Sequence, residues 1–453
     1  MMRRDMAINL GNLMLSLSEI SDMANPLIAQ HQQRVAFIAL ELARAGGASR
    51  RYTEDIFAAA LVHDIGALSV EEKAAIHNFE SLDPEPHCIR GAILLANTPW
   101  LKSIAPVVRY HHTLRENRRQ PLPEPVSFAA SLILLADYVE RLIDRNRYIL
   151  HQHHGIIEQI RALKPKIVED RVVDLFLEIC RREEFWLDLV SPRLYPNLLQ
   201  EGPYRDTEIG IKELASVTAL FRNLIDFKSS FTATHTAGVS ACAGKMAELF
   251  GYTEVEVELL KIAANMHDIG KMVIPNRILE KPDRLTAEEY AVIQSHTYYT
   301  YYLIKSIGGL HRIARWAAYH HEKLDGSGYP FHCRAGEIDN GARIVMVADI
   351  FTAISEDRPY RKGMTKNETY RILAEQVRQN LIDSQMVDLL FDHYEAINAF
   401  VKLHQEQSAQ FYERQFLNQW GLTPEAGILE ADSCSGMGDS SRELGLGSQQ
   451  PKI

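Results

Sequence analysis

The residues able to do chemistry in this 453-residue chain concentrate between His235 and Asp349, around the pair His267-Asp268. His235, His296, His320, His321 and Asp349 add further imidazoles and a carboxylate. A glycine-rich run, Asp325-Gly326-Ser327-Gly328-Tyr329-Pro330, lies between the last two groups. Imidazole and carboxylate donors together suit Fe, Mn or Zn better than Mg or Ca. The seven side chains are more than one ion needs, which predicts at least two metals with Asp268 between them. Two cations so placed would lower the pKa of a shared water, giving hydroxide near neutral pH.

The elements that must position these groups are helices. Apolar residues recur at helical spacing almost everywhere and β-type alternation is rare, so the chain is predicted to be all-α. Helices are expected at Ile28 to Ala45, Thr53 to Ile65 (carrying His63-Asp64), Pro86 to Ala96, Trp100 to His112, Ser127 to Asp144 and Val168 to Leu189. The pattern is written twice. His31 precedes His63-Asp64 by 32 residues, as His235 precedes His267-Asp268 by 32. His87 precedes His111-His112 by 24, as His296 precedes His320-His321 by 24. Asp137 in Leu-Ala-Asp matches Asp349 in Val-Ala-Asp, and Val173-Asp174-Leu175 matches Val387-Asp388-Leu389. Two tandem copies of one helical module follow. Pro192, Pro196, Gly202 and Pro203 mark the join, which gives a first module over 1–198, a linker over 199–207 and a second module over 208–424. Residues 425–453 lack apolar periodicity and are expected to form a disordered tail.

A net charge of −10 offers no basic field to polymeric nucleic acid or anionic lipid. Cys88, Cys180, Cys242, Cys333 and Cys434 are scattered and form no CxxC, which favours a reduced chain. The apolar stretch Met6 to Leu17 is broken by Asn9 and Asn12 and reads as an amphipathic core helix. No apolar run reaches the roughly 18 residues a membrane span needs. A soluble, cytoplasmic protein is the expectation.

His-Asp doublets with flanking histidines resemble the HD phosphohydrolase superfamily. The second module looks more narrowly like the HD-GYP family, through His267-Asp268-Ile269-Gly270-Lys271 and His320-His321-Glu322-Lys323-Leu324-Asp325-Gly326-Ser327-Gly328-Tyr329-Pro330. That family hydrolyses cyclic dinucleotide second messengers, chiefly cyclic di-GMP. The resemblance spans about residues 208–400 and implies one metal on His235, His267, Asp268 and Asp349, and another on Asp268, His296, His320 and His321. Iron or manganese would be the usual metals. It also implies that Lys271, Arg358 and Arg361 hold phosphates and that Asp325, Gly326, Gly328, Tyr329 and Pro330 serve substrate recognition and partner contacts. Cyclic di-GMP is favoured by family frequency, and a mixed cyclic GMP–AMP dinucleotide is the other candidate. Two departures stand out. Phe231 occupies the position where some members carry a glutamate for a third metal, so two metals are expected. His296 is followed by Thr297-Tyr298-Tyr299-Thr300 where the family usually has His-Pro-x-x-Gly, which bears on pocket shape.

The first copy keeps His31, His63, Asp64, His87, His111, His112 and Asp137 but has Ala67 in place of the lysine and no GYP turn after His112. A regulatory or structural module able to hold metal is expected. An independently active phosphohydrolase and a metal-free scaffold are the alternatives. For the whole chain, the competing readings are a non-catalytic cyclic dinucleotide sensor and a general nucleotide phosphohydrolase. His151, His153 and His154 fall outside the repeat and read as a solvated helix start, and His311 and His332 read as surface residues. Lys245 and Lys261 read as solvated helix faces, and Tyr298, Tyr299, Tyr301 and Tyr302 as packing or solvent-facing rings rather than base-stacking ones. Oligomeric state stays open, a dimer being plausible.

Overall fold

Helix ends fall where the sequence supplies caps. Thr253, Thr286 and Thr365 each open a helix with a capping box closed by Glu256, Glu289 and Glu368. Gly251 closes another at φ 92°, a backbone conformation that favours glycine. The computed structural model describes residues 7–23, 28–78, 83–113, 121–163, 167–228, 234–357 and 362–414. The first half runs α1 (Leu10–Asp22), α2 (His31–Ala45), α3 (Arg50–Leu61), α4 (Val70–His77), α5 (Glu85–Ala96), α6 (Ala105–Tyr110), α7 (Glu124–Arg141), α8 (His153–Ala162), α9 (Asp170–Ile179), α10 (Glu183–Leu189) and α11 (Leu194–Glu201). The second runs α12 (Ile211–Lys228), α13 (His235–Phe250), α14 (Glu254–Met266), α15 (Asn276–Leu279), α16 (Ala287–Ser306), α17 (His311–Ala318), α18 (Asn340–Ser355), α19 (Lys366–Arg378), α20 (Ser384–Asp392) and α21 (Tyr394–Tyr412). The fold is all-α. Among the described residues two short strands, β1 (Ile8–Asn9) and β2 (Glu208–Ile209), pair antiparallel. No helix among the described residues is long and apolar enough to cross a membrane.

Both modules pack alike. In the first, α2 lies against α3 and α7, and α5 against α6; in the second, α13 lies against α14 and α18, and α16 against α17. One continuous apolar cluster includes Phe57, Phe176 and Trp186 of the first half and Phe221, Trp316 and Phe351 of the second. α1 joins the two, touching α2 and α3 on one side and α16 on the other. Ser16 Oγ lies 2.9 Å from Ser306 Oγ across that seam.

Four expected helices change in detail. The N-terminal one begins at Leu10, because Asn9 caps it by accepting from the Asn12 amide. The helix expected over Thr53 to Ile65 starts at Arg50 behind the Ser49 cap and ends at Leu61, leaving His63-Asp64 in the turn beyond it. Trp100 to His112 is helical only over α6, led by a 3₁₀ turn at Lys102–Ile104. Val168 to Leu189 breaks into α9 and α10: Cys180 caps the first and Arg182 is extended. That break lets Trp186 Nε1 donate to Cys180 O at 3.0 Å and sets Phe176, Phe185 and Trp186 edge to face. The expected tail, 425–453, lies outside the described residues.

Candidate active site

The second centre is assembled from five helical elements. His235 opens α13, His267 caps the end of α14 with Asp268 just beyond, and His296 sits within α16. His320 and His321 form a 3₁₀ turn after α17, and Asp349 comes from α18. The seven side chains meet. Asp268 uses its two oxygens on opposite sides: Oδ2 lies 3.2 Å from His267 Nε2, and Oδ1 lies 3.3 Å from His296 Nε2 and 3.7 Å from His320 Nε2. His235 Nε2 is 3.0 Å from Asp349 Oδ1, which is also 3.8 Å from His267 Nε2. Donor atoms fall into two groups, each within 4.8 Å: His235, His267 and Asp268, and His296, His320 and His321.

Backbone carbonyls fix the imidazoles. Nδ1 of His267 donates to Ala264 O (2.8 Å), that of His296 to Ile293 O (2.6 Å) and that of His320 to Ala317 O (2.7 Å). A carbonyl only accepts, so these Nδ1 atoms carry the proton and each Nε2 presents a lone pair inward. The lone pairs of His296 and His320 then face each other at 3.3 Å with no proton to share. His267 Nε2 and Asp268 Oδ1 are buried without a hydrogen-bond partner. Orphaned lone pairs converging with carboxylates repel unless a cation lies among them, so the donor set fits divalent metals. Electrostatics agree. Burial lowers His320 to about 3, aided by the neighbouring His267, and holds His321 well below its ordinary value. Burial works against the Asp268 carboxylate, but its neighbours, His267 and the Lys271 ammonium first among them, outweigh it and hold Asp268 well below the usual carboxylate range. Burial also works against protonated His235; its bond to Asp349 and the nearby Glu356 carboxylate prevail and raise it to about 9.

The first centre repeats this geometry. His63 Nε2 lies 3.4 Å from Asp64 Oδ2, and His87 and His111 Nε2 lie 3.2 and 3.6 Å from Asp64 Oδ1. His31 Nε2 is 3.6 Å from Asp64 Oδ2 and 3.5 Å from Asp137 Oδ1. His112 completes a group with Asp64, His87 and His111. Nδ1 of His63 and of His111 again donate to carbonyls, Ala60 O and Val108 O. The difference is that Arg141 is drawn onto Asp137, at 3.1 Å.

Each module matches an HD domain family model, one over residues 28–142 and a second over residues 219–386. A 3′3′-cGAMP-specific phosphodiesterase of Vibrio cholerae is 30% identical over 393 residues, which cover 84% of this chain and 91% of that protein. The chain belongs to the family of HD-domain cyclic dinucleotide phosphodiesterases. A cyclic di-GMP phosphodiesterase response regulator of Xanthomonas campestris is 36% identical over 187 residues, 40% of this chain and 48% of that one. The crystal structure of another cyclic GMP-AMP-specific phosphodiesterase of Vibrio cholerae superposes with a TM-score of 0.59 at 21% identity, covering 86% of this chain and 98% of that one, a likeness of fold.

In this HD-domain phosphodiesterase the doublet's lysine sits in a 3₁₀ segment, Ile269–Val273. Three residues per turn place Lys271 directly over Asp268, and its Nζ bonds Oδ2 at 2.6 Å. The glycine turn packs beside the centre. Gly326 takes φ 85°, and a Cβ on Gly328 would stand 2.4 Å from Glu322 Cα. Asp325 Oδ1 accepts from the Ser327 amide and hydroxyl, and the Tyr329–Pro330 peptide is cis. The Tyr329 ring lies 5.0 Å from that of His321. Arg358 and Arg361 lie outside the described residues, as does Phe231. The departure after His296 has a structural answer: Thr300 Oγ1 accepts from the Gly270 amide (3.0 Å) and donates to His267 O (2.9 Å), tying α16 to the doublet.

Sequence reading missed three supports. Buried Glu322 accepts from the Phe331 and Cys333 amides (2.7 and 2.9 Å) and fastens the turn. Glu322→Gln should present an amide NH₂ to one of those donors, costing about 1–3 kcal/mol. A lower thermal midpoint and a raised KM with unchanged metal content would check this. Glu140 accepts from His31 Nδ1 at 2.6 Å, and Glu356 lies 3.7 Å from His235 Nδ1, but these carboxylates sit at different offsets from Asp137 and Asp349. Asp22 and Asp226 each precede the first histidine of their module by nine residues, a repeat present in the sequence. Both are buried; Asp22 Oδ2 accepts from the Gln32 amide and Asp226 lies beside Thr236, the residue after His235. Burial raises both carboxyls to about 7.

His151 and His154 are exposed, at a 3₁₀ turn and the start of α8. His311 and His332 are exposed too, and Lys245 and Lys261 pair with Glu248 and Glu258 on their own helices. Tyr298 and Tyr302 point to solvent, with rings 4.4 Å apart, and Tyr301 packs on Phe331.

Proposed function

We propose that the second module hydrolyses a 3′,5′-cyclic dinucleotide at a binuclear centre held by His235, His267, Asp268 and Asp349 on one side and Asp268, His296, His320 and His321 on the other. The observation that carries this reading is the placement of Asp268, one oxygen toward each histidine group, with Lys271 bonded to it. Two cations, with iron or manganese matching the donors, would supply an ionised water and neutralise charge on the phosphoryl oxygens. The chain's own residues do the rest. Carbonyl-pinned imidazoles keep their lone pairs inward, and Asp268 fixes the spacing of the two groups. Lys271 holds Asp268 and, lying 9% exposed at the site's edge, can bond a phosphate oxygen as a point charge. The turn from Asp325 to Pro330 borders His321 and would contact the substrate, or a protein partner, beside it. Arg358 and Arg361 remain assigned to phosphate by family pattern.

Between substrates, 3′3′-cyclic GMP–AMP is favoured over cyclic di-GMP. The relative whose similarity spans 84% of the chain is named for the former, and relatives named for the latter match 27–43% of it. The first module, with its complete donor set, would hold metal and serve regulation. The test is anaerobic turnover of both dinucleotides by iron- and manganese-loaded protein, with products separated chromatographically. Hydrolysis of cyclic GMP–AMP ahead of cyclic di-GMP is expected. Tight binding without product from metal-replete protein would replace this reading with a sensor. Lys271→Met should lower kcat/KM by about 10- to 100-fold, the worth of one charged hydrogen bond, with both metals retained.

A further inference from the structure

The candidate ligands of the second centre border an aromatic corner. The Tyr329 ring lies against the His321 imidazole, with centroids 5.0 Å apart and planes inclined by 31°. A second ring meets it from α16: Tyr290 stands 6.4 Å from Tyr329 at 81°, edge to face. Tyr290 is thus one ring farther out from His321, and it is 39% exposed. Its backbone is well anchored. Tyr290 follows the capping box of Thr286 and Glu289 at the start of α16, and Lys281 Nζ bonds Glu289 at 2.6 Å. An exposed tyrosine on a fixed helix start offers a flat apolar face at little cost in side-chain freedom. The first module has no such corner. Tyr290 precedes His296 by six residues, whereas the residue six before His87 is Ser81, and the turn that carries Tyr329 is missing there.

We propose that Tyr290 is a substrate-binding residue whose ring stacks on a purine of the cyclic dinucleotide. A dinucleotide held by one phosphate at the buried ligands must carry its bases outward from them. The path from His321 through Tyr329 to Tyr290 leads from those ligands to the surface. Every base has a π-face, so the ring would grip adenine and guanine alike and set affinity rather than the choice between them. Tyr298 and Tyr302, exposed farther along α16, pair with each other at 4.4 Å instead. The inference rests on the reading that the second centre hydrolyses such a substrate.

The experiment uses full-length protein loaded with Mn²⁺, with cyclic GMP–AMP and cyclic di-GMP as substrates and Tyr290→Ala, Tyr290→Leu and Tyr290→Phe as variants. Alanine removes the ring, leucine keeps apolar bulk without a π-face, and phenylalanine keeps the ring without its hydroxyl. Tyr290→Ala and Tyr290→Leu are expected to raise KM for both dinucleotides by about 5- to 150-fold, the worth of one base stack, with kcat and manganese content unchanged. Tyr290→Phe should keep the parent's KM. A KM indifferent to Tyr290→Ala, or kept by leucine as well as by phenylalanine, would overturn this proposal alone. So would a phenylalanine variant as weak as the alanine one, or an alanine variant that loses kcat and manganese together. A parent protein that turns over neither dinucleotide would overturn the reading of the second centre, and this inference with it.

Discussion

Alanine at Asp268 is expected to lower cyclic dinucleotide turnover by more than about 10³-fold, because the water-activating pair of cations loses the one ligand both groups share. The carboxylate stands within 3.2–3.7 Å of three imidazole nitrogens and bonds Lys271 at 2.6 Å, so truncation removes the link between the two histidine groups. The same change relieves four buried groups of their counter-charge, leaving imidazoles that can bind a cation only singly. Helical content should survive, since no helix depends on that side chain for its cap: Thr253 secures the start of α14 and the Nδ1 bonds of His267 and His296 go to backbone carbonyls. Turnover, metal content and far-ultraviolet circular dichroism measured on one preparation would decide it. Asp64→Ala offers the matched control, expected to deplete metal from the first module while cyclic dinucleotide hydrolysis continues. Unchanged turnover in Asp268→Ala, or its loss in Asp64→Ala alone, would move the chemistry to the other centre.

Gly270→Ala should be nearly as damaging for a different reason. A Cβ there would stand 1.9 Å from the His296 carbonyl oxygen and 2.9 Å from the Thr300 nitrogen, both backbone atoms that cannot swing away. The 3₁₀ segment and α16 must separate, and that separation carries His296 away from Asp268 and strains the Thr300 bridge. Overpacking of this kind costs about 1–3 kcal/mol, at times more, and a shift of about 1 Å at a catalytic group can cost about 10²-fold in rate. Differential scanning calorimetry and kcat/KM should therefore fall together. The first module holds the same device: a Cβ on Gly66 would lie 2.1 Å from His87 O and 2.4 Å from Gly91 N. Gly66→Ala is expected to lower stability comparably and to leave the second centre's metal content unchanged. A Gly270→Ala protein with the parent's midpoint and turnover would show that this close approach does not set the centre.

Chemistry and architecture class were legible in the sequence because both rest on residue type and period. Apolar residues at helical spacing gave an all-α chain, and the doubled offsets of 32 and 24 gave two modules with equal donor sets. The histidines and aspartates did converge, in both copies. What spacing could not supply was the state of each donor. Which imidazole nitrogen carries the proton depends on carbonyls such as Ala264 O and Ile293 O, which become partners only once the helix ends turn inward. The doublets themselves fall beyond α3 and α14 rather than within helices, because their roles need the chain to leave the helix and pass under the next histidine, where only Gly66 and Gly270 fit. Asp22 and Asp226 repeat in register and were there to be read; burial hid their purpose, since a carboxylate in an apolar stretch shows its partner only in three dimensions. Lys73 was beyond any linear reading: only the packing of α4 beside the first centre places it in one wall with Asp22, Asp64 and Asp137.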